Sequence, residues 1–137
     1  MNRRMMNVLC SLFFIAGCSN DSNVQSHNNN VEEVVNKHND IQNLKALDTF
    51  IKRAKLKKED TVNYIEYGVE GQRGVTTLTS KENNIHISSS VDKKFIEEYS
   101  CEDIAIETKN GSDHYVLKQC TGDFEGTRDI PLLTVSK

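Results

Sequence analysis

The hydrophobic pattern of this chain begins with a short segment that is first charged and then apolar, and that ends at a cysteine. Two basic residues, Arg3 and Arg4, precede an apolar run over residues 8–16. Such a run is too short to cross a bilayer, which takes about 20 residues, so the pattern predicts a signal peptide and not a membrane-spanning helix. Residues 19–30 are polar and without a period, and they predict a flexible tether.

The end of the apolar run, Ile15-Ala16-Gly17-Cys18, resembles the lipobox of bacterial lipoproteins. The resemblance implies cleavage before Cys18, a diacylglycerol on its thiol, and a mature chain held at the extracytoplasmic face of the cell membrane. The acyl chains would anchor it firmly, because they partition at about 0.8 kcal/mol per buried methylene. The alternative is a plain secreted protein with an incidental cysteine.

Beyond the tether, the apolar positions first follow a helical period. One set recurs at i, i+3, i+4 and i+7 and predicts a short helix, with a histidine on its apolar face. This set is Val31, Val34, Val35 and His38. A longer helix should begin after Asn43, a good N-cap residue, and end near Lys55. Its apolar stripe is Leu44, Leu47, Phe50, Ile51 and Ala54.

After residue 60 the pattern changes from helical to extended. Runs rich in Val, Ile, Tyr and Thr predict a meander of three antiparallel strands at residues 61–69, 75–80 and 85–91. The next segment, residues 92–99, predicts one or two helical turns, with a packed loop as the alternative.

A last strand is predicted at residues 130–135. Proline cannot donate a hydrogen bond to a ladder. We therefore expect this strand to lie at a sheet edge or to begin just after Pro131.

The strongest local signal is Asn110-Gly111, the preferred dipeptide of a two-residue type I′ hairpin. Its register sets Cys101 opposite Cys120, at a hydrogen-bonded site where a twist or bulge is needed. One face would carry the cysteines and two opposite-charge pairs, and the other face would pack on the core. The charge pairs are Asp103 with Lys118 and Glu107 with His114, and the apolar residues are Ile104, Ile106, Tyr115 and Leu117.

Together these elements predict an α+β fold, with one main N-terminal helix packed on an antiparallel sheet of about five strands. The expected organisation is a signal peptide at residues 1–17, a lipidated cysteine with its tether at 18–30, and a single domain at 31–137. Hydrophobic residues make up 36% of the chain and Trp is missing, so the core should be lean and a covalent staple would help.

The number and positions of the cysteines predict a disulfide that would be this covalent staple. Cys10 leaves with the signal peptide and Cys18 carries the lipid, so Cys101 and Cys120 remain as a disulfide pair. Such a bridge is worth about 3 kcal/mol in the loop-entropy model. A redox dithiol or half of a metal site is the alternative, although neither has the C-x-x-C spacing of such sites.

The net charge of the chain limits the classes of partner that it can bind. The chain has 17 basic and 20 acidic residues, and loss of the two leader arginines makes it more acidic still, which argues against nucleic-acid binding. Positive charge is concentrated between Lys52 and Lys58. Such a run can bind anionic lipid or wall polymer. Cations also complement a helix C-terminus, and we expect this run to remain solvated.

The sequence contains no nucleophile elbow, phosphate-binding loop or dinucleotide fingerprint. His38 is expected to be structural, whereas His86 and His114 could hold a metal with Asp or Glu neighbours if their strands were adjacent. We expect a non-catalytic binding or structural module without a cofactor, whose partners are the membrane and an unknown envelope protein or polymer. Two alternatives are a metal-dependent hydrolase using His86 and His114 and a thiol redox protein using Cys101 and Cys120.

Several of these residues together resemble a family of small lipoproteins from Gram-positive bacteria, catalogued as a domain of unknown function, number 4362. The resemblance covers roughly residues 31–135 and implies a fold but no activity. It departs from the family at Asn39, where a glycine is usual, and at Gln72-Arg73-Gly74, where the family has a proline-bearing turn. The residues that carry it are Val34-Val35-Asn36, His38, Asn43-Leu44, Leu47, Phe50, Glu70-Gly71 and the Cys101 and Cys120 pair.

Overall fold

The computed structural model describes residues 30–137, so the predicted signal peptide, Cys18 and the tether up to residue 29 lie outside the described residues. The described chain forms one helix and nine strands. In chain order these are β1 (Glu32–Lys37), β2 (Asp40–Gln42), α1 (Leu44–Lys55), β3 (Asp60–Tyr67), β4 (Arg73–Lys81), β5 (Asn84–Val91), β6 (Lys94–Cys101), β7 (Asp103–Lys109), β8 (Ser112–Gly122) and β9 (Phe124–Ser136).

All nine strands belong to one sheet, in the order β2-β1-β3-β4-β5-β6-β8. β7 continues the direction of β6 along the same side of β8, and β9 pairs with the other side of β8. Every pair is antiparallel except β1 with β3, which run parallel. The sheet curves until it is nearly closed, in a barrel-like form, around one core that includes the buried face of α1.

The predicted α+β fold, a helix packed on about five antiparallel strands, is therefore wrong. The main helix, the meander of β3, β4 and β5, and the C-terminal hairpin are present. However, both segments predicted as additional helix are strands, and the sequence pattern does not predict β2 or the first half of β9. With the extra strands the sheet is nearly closed, and α1 contributes only its buried face to the core.

β1 stands where the first short helix was expected. Its buried positions alternate, as in a strand, but one of them is the polar residue Asn36, which hides the period of two. The Asn36 amide is satisfied because it donates to the Tyr64 hydroxyl at 2.9 Å and accepts from the Asn39 N–H at 2.9 Å. His38 consequently lies exposed in the turn between β1 and β2 and not on an apolar helix face.

β6 stands where helical turns or a packed loop were expected. Asp92 and Lys93 form a two-residue turn that joins β5 to β6. Both residues have positive φ, 48° and 67°, as a type I′ hairpin turn requires. Since neither residue is Gly or Asn, the turn has no clear signature in the sequence.

α1 confirms the second predicted helix, and it buries Leu47, Phe50 and Ile51. Asn43 occupies the N-cap position, but its backbone is left-handed (φ 58°) and its side chain makes no cap. Its amide instead donates to the Glu32 carboxylate and to the Glu33 carbonyl, both at 3.0 Å. Asn43 therefore fixes the start of α1 against β1.

The C-terminal hairpin confirms the predicted register. β7 pairs with β8 as Asn110-Gly111 requires, and the same register resumes where β6 meets β8. Between these two stretches, Cys101 and Cys120 form a disulfide. The cysteine pairing derived from the turn is therefore present in the structure.

The face on which the cysteines lie differs from the prediction. Both sulfur-bearing side chains are buried on the same face as Ile104 and Leu117. The reason is one extra residue on each strand beside the disulfide, Glu102 and Gln119, which reverses the alternation of faces. Gln119 has a φ of 51°, and its N–H donates to the Asp129 carboxylate at 3.0 Å.

The charged side chains of this hairpin also form ion pairs that differ from the predicted ones. Lys118 donates to Glu107 at 2.6 Å and to Asp129 at 2.8 Å, and not to Asp103. The hydrogen bonds to Asp129 and Glu107 raise the pKa of Lys118 to about 12. Lys118 in turn lowers the pKa of both carboxyl groups. This cluster stabilises the outer face where β7, β8 and β9 meet.

β9 lies at an edge of the sheet, as Pro131 indicates, although it is longer than predicted. Its register against β8 shifts at several points, including beside Pro131. Ile106, expected in the core, is 44% exposed. Within residues 30–137, no helix has the length and apolar character needed to cross a membrane.

Candidate binding surface at the open edge of β6

The two histidines considered as metal ligands are not brought together. His86 lies on β5 and His114 on β8, and β6 lies between these two strands in the sheet. His86 lies 3.7 Å from the Glu98 carboxylate, and His114 is 3.0 Å from the Thr134 hydroxyl. Across the described range 30–137, no three His, Cys, Asp or Glu side chains are grouped so as to hold a metal ion. The hydrolase alternative therefore lacks the adjacent strands that it requires.

The disulfide is enclosed in the core. Cys101 is 1% exposed and Cys120 is fully buried, among apolar side chains. Redox-active cysteines are usually accessible, with a thiol pKa lowered by nearby positive charge. The setting of this disulfide is typical of a structural bridge.

An open edge of the sheet is the feature best suited to binding. β6 pairs with β5 over its whole length, but it pairs with β8 only through Tyr99 and Ser100. Among the described strands, none pairs with the other side of residues 94–98. The main-chain groups on that side are therefore available to a further strand.

Two large apolar side chains stand at this open edge. Phe95 is 64% exposed and Ile96 is 57% exposed. Ile96 is an extra residue in the ladder, because Ser89 pairs with Glu97 and Ser90 pairs with Phe95. Such a bulge re-aims the neighbouring side chains. Together the two side chains form an apolar pair exposed to solvent beside unpaired main chain.

An aromatic platform borders the edge at the start of β9. The Arg128 guanidinium carbon lies 3.8 Å from the centre of the Phe124 ring, a cation–π contact. The ring of Phe124 meets Tyr99 edge to face, with centroids 6.2 Å apart. Gly122 permits this packing, because an added Cβ would lie only 2.7 Å from the Tyr99 Cβ and 3.1 Å from the Phe124 ring.

A depression of about 250 Å³ lies between the open edge and the platform. Its rim is mainly acidic, with Glu97, Glu98 and Asp123 against the single cation Arg128. Burial raises the pKa of the Tyr99 hydroxyl, Glu97 raises it further, and Arg128 opposes them. The Tyr99 hydroxyl is therefore neutral at physiological pH. The surface combines open main chain, apolar side chains and negative charge, all of which can contribute to binding.

The sequence pattern does not identify this surface, because residues 92–99, which include most of β6, are predicted as helical turns or a packed loop. The signal that could have found it is the apolar pair Phe95-Ile96 inside a strongly charged segment. The pairing that leaves the edge open depends on β8, which lies far along the chain.

Comparison with known proteins gives a family but no activity. The family model described as "Domain of unknown function (DUF4362)" matches residues 31–116. The match begins next to β1 and ends within β8, so Cys120 and β9 lie beyond it. No curated protein and no solved structure matches the chain.

Proposed function

Because the chain belongs to the DUF4362 family, whose description states no activity, we propose a function from the site itself. We propose that the protein is a lipid-anchored, non-catalytic binding module of the cell envelope. It binds an extended segment of a partner protein along β6. The observation that carries this proposal is the unpaired edge at residues 94–98 with the exposed apolar pair Phe95 and Ile96.

The leader supports the anchored part of the proposal. A basic start, a short apolar run and small residues before Cys18 are the features by which lipoprotein signal peptides are processed. Lipid on Cys18 would hold the domain at the extracytoplasmic face of the cell membrane, on a tether of about a dozen residues.

The anchor gives a direct prediction. We expect the protein purified from membranes of its producing cell to begin at Cys18 and to carry a diacylglycerol on that residue. Cys18→Ser should abolish the lipid, because serine lacks the thiol that accepts it, whereas Cys10→Ser should leave it unchanged. Mass spectrometry of the intact protein measures both. An unmodified chain that retains residues 1–17 would contradict the anchor.

Strand addition is the mode of binding that this edge supports. An extended peptide that pairs with a sheet edge gains main-chain hydrogen bonds for affinity and side-chain contacts for specificity. At β6 the contacts would be Phe95 and Ile96, with Phe124 at the end of the groove. The bulge and the two exposed side chains keep this edge from being flat and continuous, which limits unspecific pairing.

Charge defines the partner segment further. Three carboxylates and one guanidinium line the depression, so a segment with basic residues is favoured over an acidic one. Apolar residues that alternate with Lys or Arg would place their apolar side chains beside Phe95 and their charges beside Glu97 or Glu98. We therefore assign the partner as an extended segment that is both apolar and basic.

Binding can be tested with a short synthetic peptide that alternates valine and lysine. We expect the purified full chain in detergent to bind it, and Phe95→Ala with Ile96→Ala to weaken binding by about tenfold or more, because the contact with an apolar side chain is lost. Val69→Ala is the matched control, since Val69 is 96% exposed, lies in the turn between β3 and β4, and is not among the residues that line the depression. Fluorescence anisotropy of a labelled peptide gives the affinities.

Two further peptides separate strand addition from simple charge attraction. A peptide with N-methyl groups on alternate residues cannot donate main-chain hydrogen bonds and should not bind. A peptide with glutamate in place of lysine should bind more weakly. Equal binding of the N-methylated peptide, or unchanged affinity in the Phe95 and Ile96 variant, would refute the proposal.

A further inference from the structure

We propose that the domain has a second contact surface, at the C-terminal end of α1, which rests on an anionic lipid membrane. The surface, called here the cationic end patch, consists of Lys52, Lys55, Leu56, Lys57 and Lys58. This inference rests on the anchored part of the proposed function and adds an orientation to it.

The end of the helix presents these side chains outward. The Lys58 N–H donates to the Arg53 carbonyl at 3.0 Å and the Lys57 N–H to the Ala54 carbonyl at 2.9 Å. These are the two hydrogen bonds of a Schellman motif. Lys57 has the left-handed backbone (φ 58°) that the motif requires and that glycine usually supplies. The chain thus carries a cation at a position where its backbone is strained.

The lysines of the patch form no ion pairs inside the described domain, although Glu82, Glu102 and Asp103 line the same depression as Lys57 and Lys58. Arg53 turns away from the surface and forms an ion pair with Asp60 at 3.0 Å. All four lysines of the patch are exposed, and within residues 30–137 none of them forms an ion pair with a carboxylate. Lysines of this kind are attracted to anionic lipid headgroups within a short distance of the surface.

The exposed side chain of Leu56 favours a membrane over a hydrated polymer as the partner of the patch. It is 66% exposed and stands in sequence between Lys55 and Lys57, so the patch contains an exposed apolar side chain among its lysines. A membrane surface can take up the leucine at the boundary of headgroups and acyl chains while the lysines meet the headgroups. A soluble polyanion offers only the second of these contacts.

The position of the patch matches the position of the tether. β1 runs parallel to β3 with Glu32 opposite Val62, so the described chain enters the sheet at the end where α1 leads into β3. The Ser80 hydroxyl donates to the Lys58 carbonyl at 2.7 Å, which fixes the patch to that same end. A lipid on Cys18 would therefore draw the domain to the membrane with the cationic end patch facing it.

The binding edge lies at the opposite end of the sheet. The register places Asp60 opposite Ser80 and Ile85 opposite Cys101, so the patch shares its end with the last residue of β6. The open edge begins at Lys94, which pairs with Val91 at the other end of β5. With the patch on the membrane, the first residues of β6 point away from the lipid and are accessible to a partner.

The inference can be tested with the full chain reconstituted in vesicles of phosphatidylcholine, with or without phosphatidylglycerol. A fluorophore on Leu56→Cys reports contact through a quencher attached to the lipid. A fluorophore on Val69→Cys, in the turn between β3 and β4 at the opposite end, is the matched control. We expect quenching at Leu56 only, only with phosphatidylglycerol, and reversed by high salt.

Replacing the four lysines with glutamine should lower the ratio of surface-bound to unbound domain by about tenfold or more. Circular dichroism checks that this variant is folded, as the exposure of all four side chains leads us to expect. Equal quenching at both labels would overturn the inference, and so would quenching that does not depend on phosphatidylglycerol and salt. Protection of Leu56 by soluble polyphosphate without any contact with anionic vesicles would also overturn it and would favour a polymer.

The mass of the same preparation separates the two proposals. If Cys18 lacks lipid and the Leu56 label still reports contact with anionic vesicles, the anchor fails and the contact surface stands. If Cys18 carries lipid and the label reports no contact, the anchor stands and the contact surface fails.

Discussion

Replacing Cys101 and Cys120 together with alanine should lower the free energy of unfolding by about 3 kcal/mol. The disulfide spans 19 residues of sequence, and removing it frees that loop in the unfolded chain. We expect the measured loss of unfolding free energy to reach this value, because β6 and β8 are joined by only two residue pairs, which lie directly beside the disulfide. Without the bridge, this junction depends on those pairs and on the core beneath them.

Chemical denaturation with and without a dithiol reductant measures this effect. The reduced natural chain and the double alanine variant should unfold at similar denaturant concentrations, and the variant should not respond to the reductant. Serine is a poorer choice, because a buried hydroxyl without a partner costs a further ~1–3 kcal/mol. A natural chain whose stability is the same before and after reduction would contradict a structural bridge and favour the redox alternative.

Replacing Phe50 with alanine should cost about 3–5 kcal/mol, the largest loss expected from a single substitution here. Phe50 is 1% exposed, and it lies on α1 in the middle of the core that the curved sheet encloses. Its removal leaves a cavity that strands on several sides would have to fill. The midpoint of urea unfolding should fall while the slope of the transition stays the same.

Phe95→Ala is the matched control for this substitution. Because Phe95 is 64% exposed, the same change of side chain should alter the free energy of unfolding by no more than about 0.5 kcal/mol. Similar losses at the two positions would mean that Phe95 is part of the core and would remove the basis for a binding role. A small loss at Phe95 also shows that weaker peptide binding by this variant does not result from unfolding.

Turn chemistry explains much of what the sequence could and could not predict. Four strand pairs are joined by two-residue turns in which both residues have positive φ. One of these turns is Asn110-Gly111, and it predicts the register of its hairpin correctly. The others are His38-Asn39, Glu82-Asn83 and Asp92-Lys93. All three lack glycine, and in two of them a neighbouring strand is read as helix, whereas Glu82-Asn83 joins two strands that the pattern predicts.

Buried polar residues conceal strands in the same way. Asn36 occupies a core position of β1, so the apolar residues around it follow a helical spacing by coincidence. The residue that satisfies its amide, Tyr64, lies on β3 and is reached through a parallel pairing that spans α1. A pattern confined to one segment cannot show such a partner. The period of α1, by contrast, depends on its own residues and predicts its bounds well.

The candidate sites also differ in whether neighbouring residues or distant strands determine them. The disulfide pairing is predicted from the hairpin turn, but the reversed face is not, because it depends on the positive φ of Gln119. The cationic end patch is visible in the sequence as a run of lysines. Its location beside the start of β1 is not, because that follows from the parallel register of β1 and β3. The open edge of β6 exists only through the way distant strands pair.

The parallel pairing of β1 with β3 also has a mechanical consequence. If the chain is anchored through Cys18 as proposed, a pull from the membrane would act on the first residues of β1, along the axis of this strand. Force applied along a strand loads its hydrogen bonds to the neighbour in shear, and all of them must yield together. A partner held at β6 and a lipid held at Cys18 would place the sheet under tension from opposite ends. Under that load, the first strand would resist as a shear joint instead of opening one bond at a time.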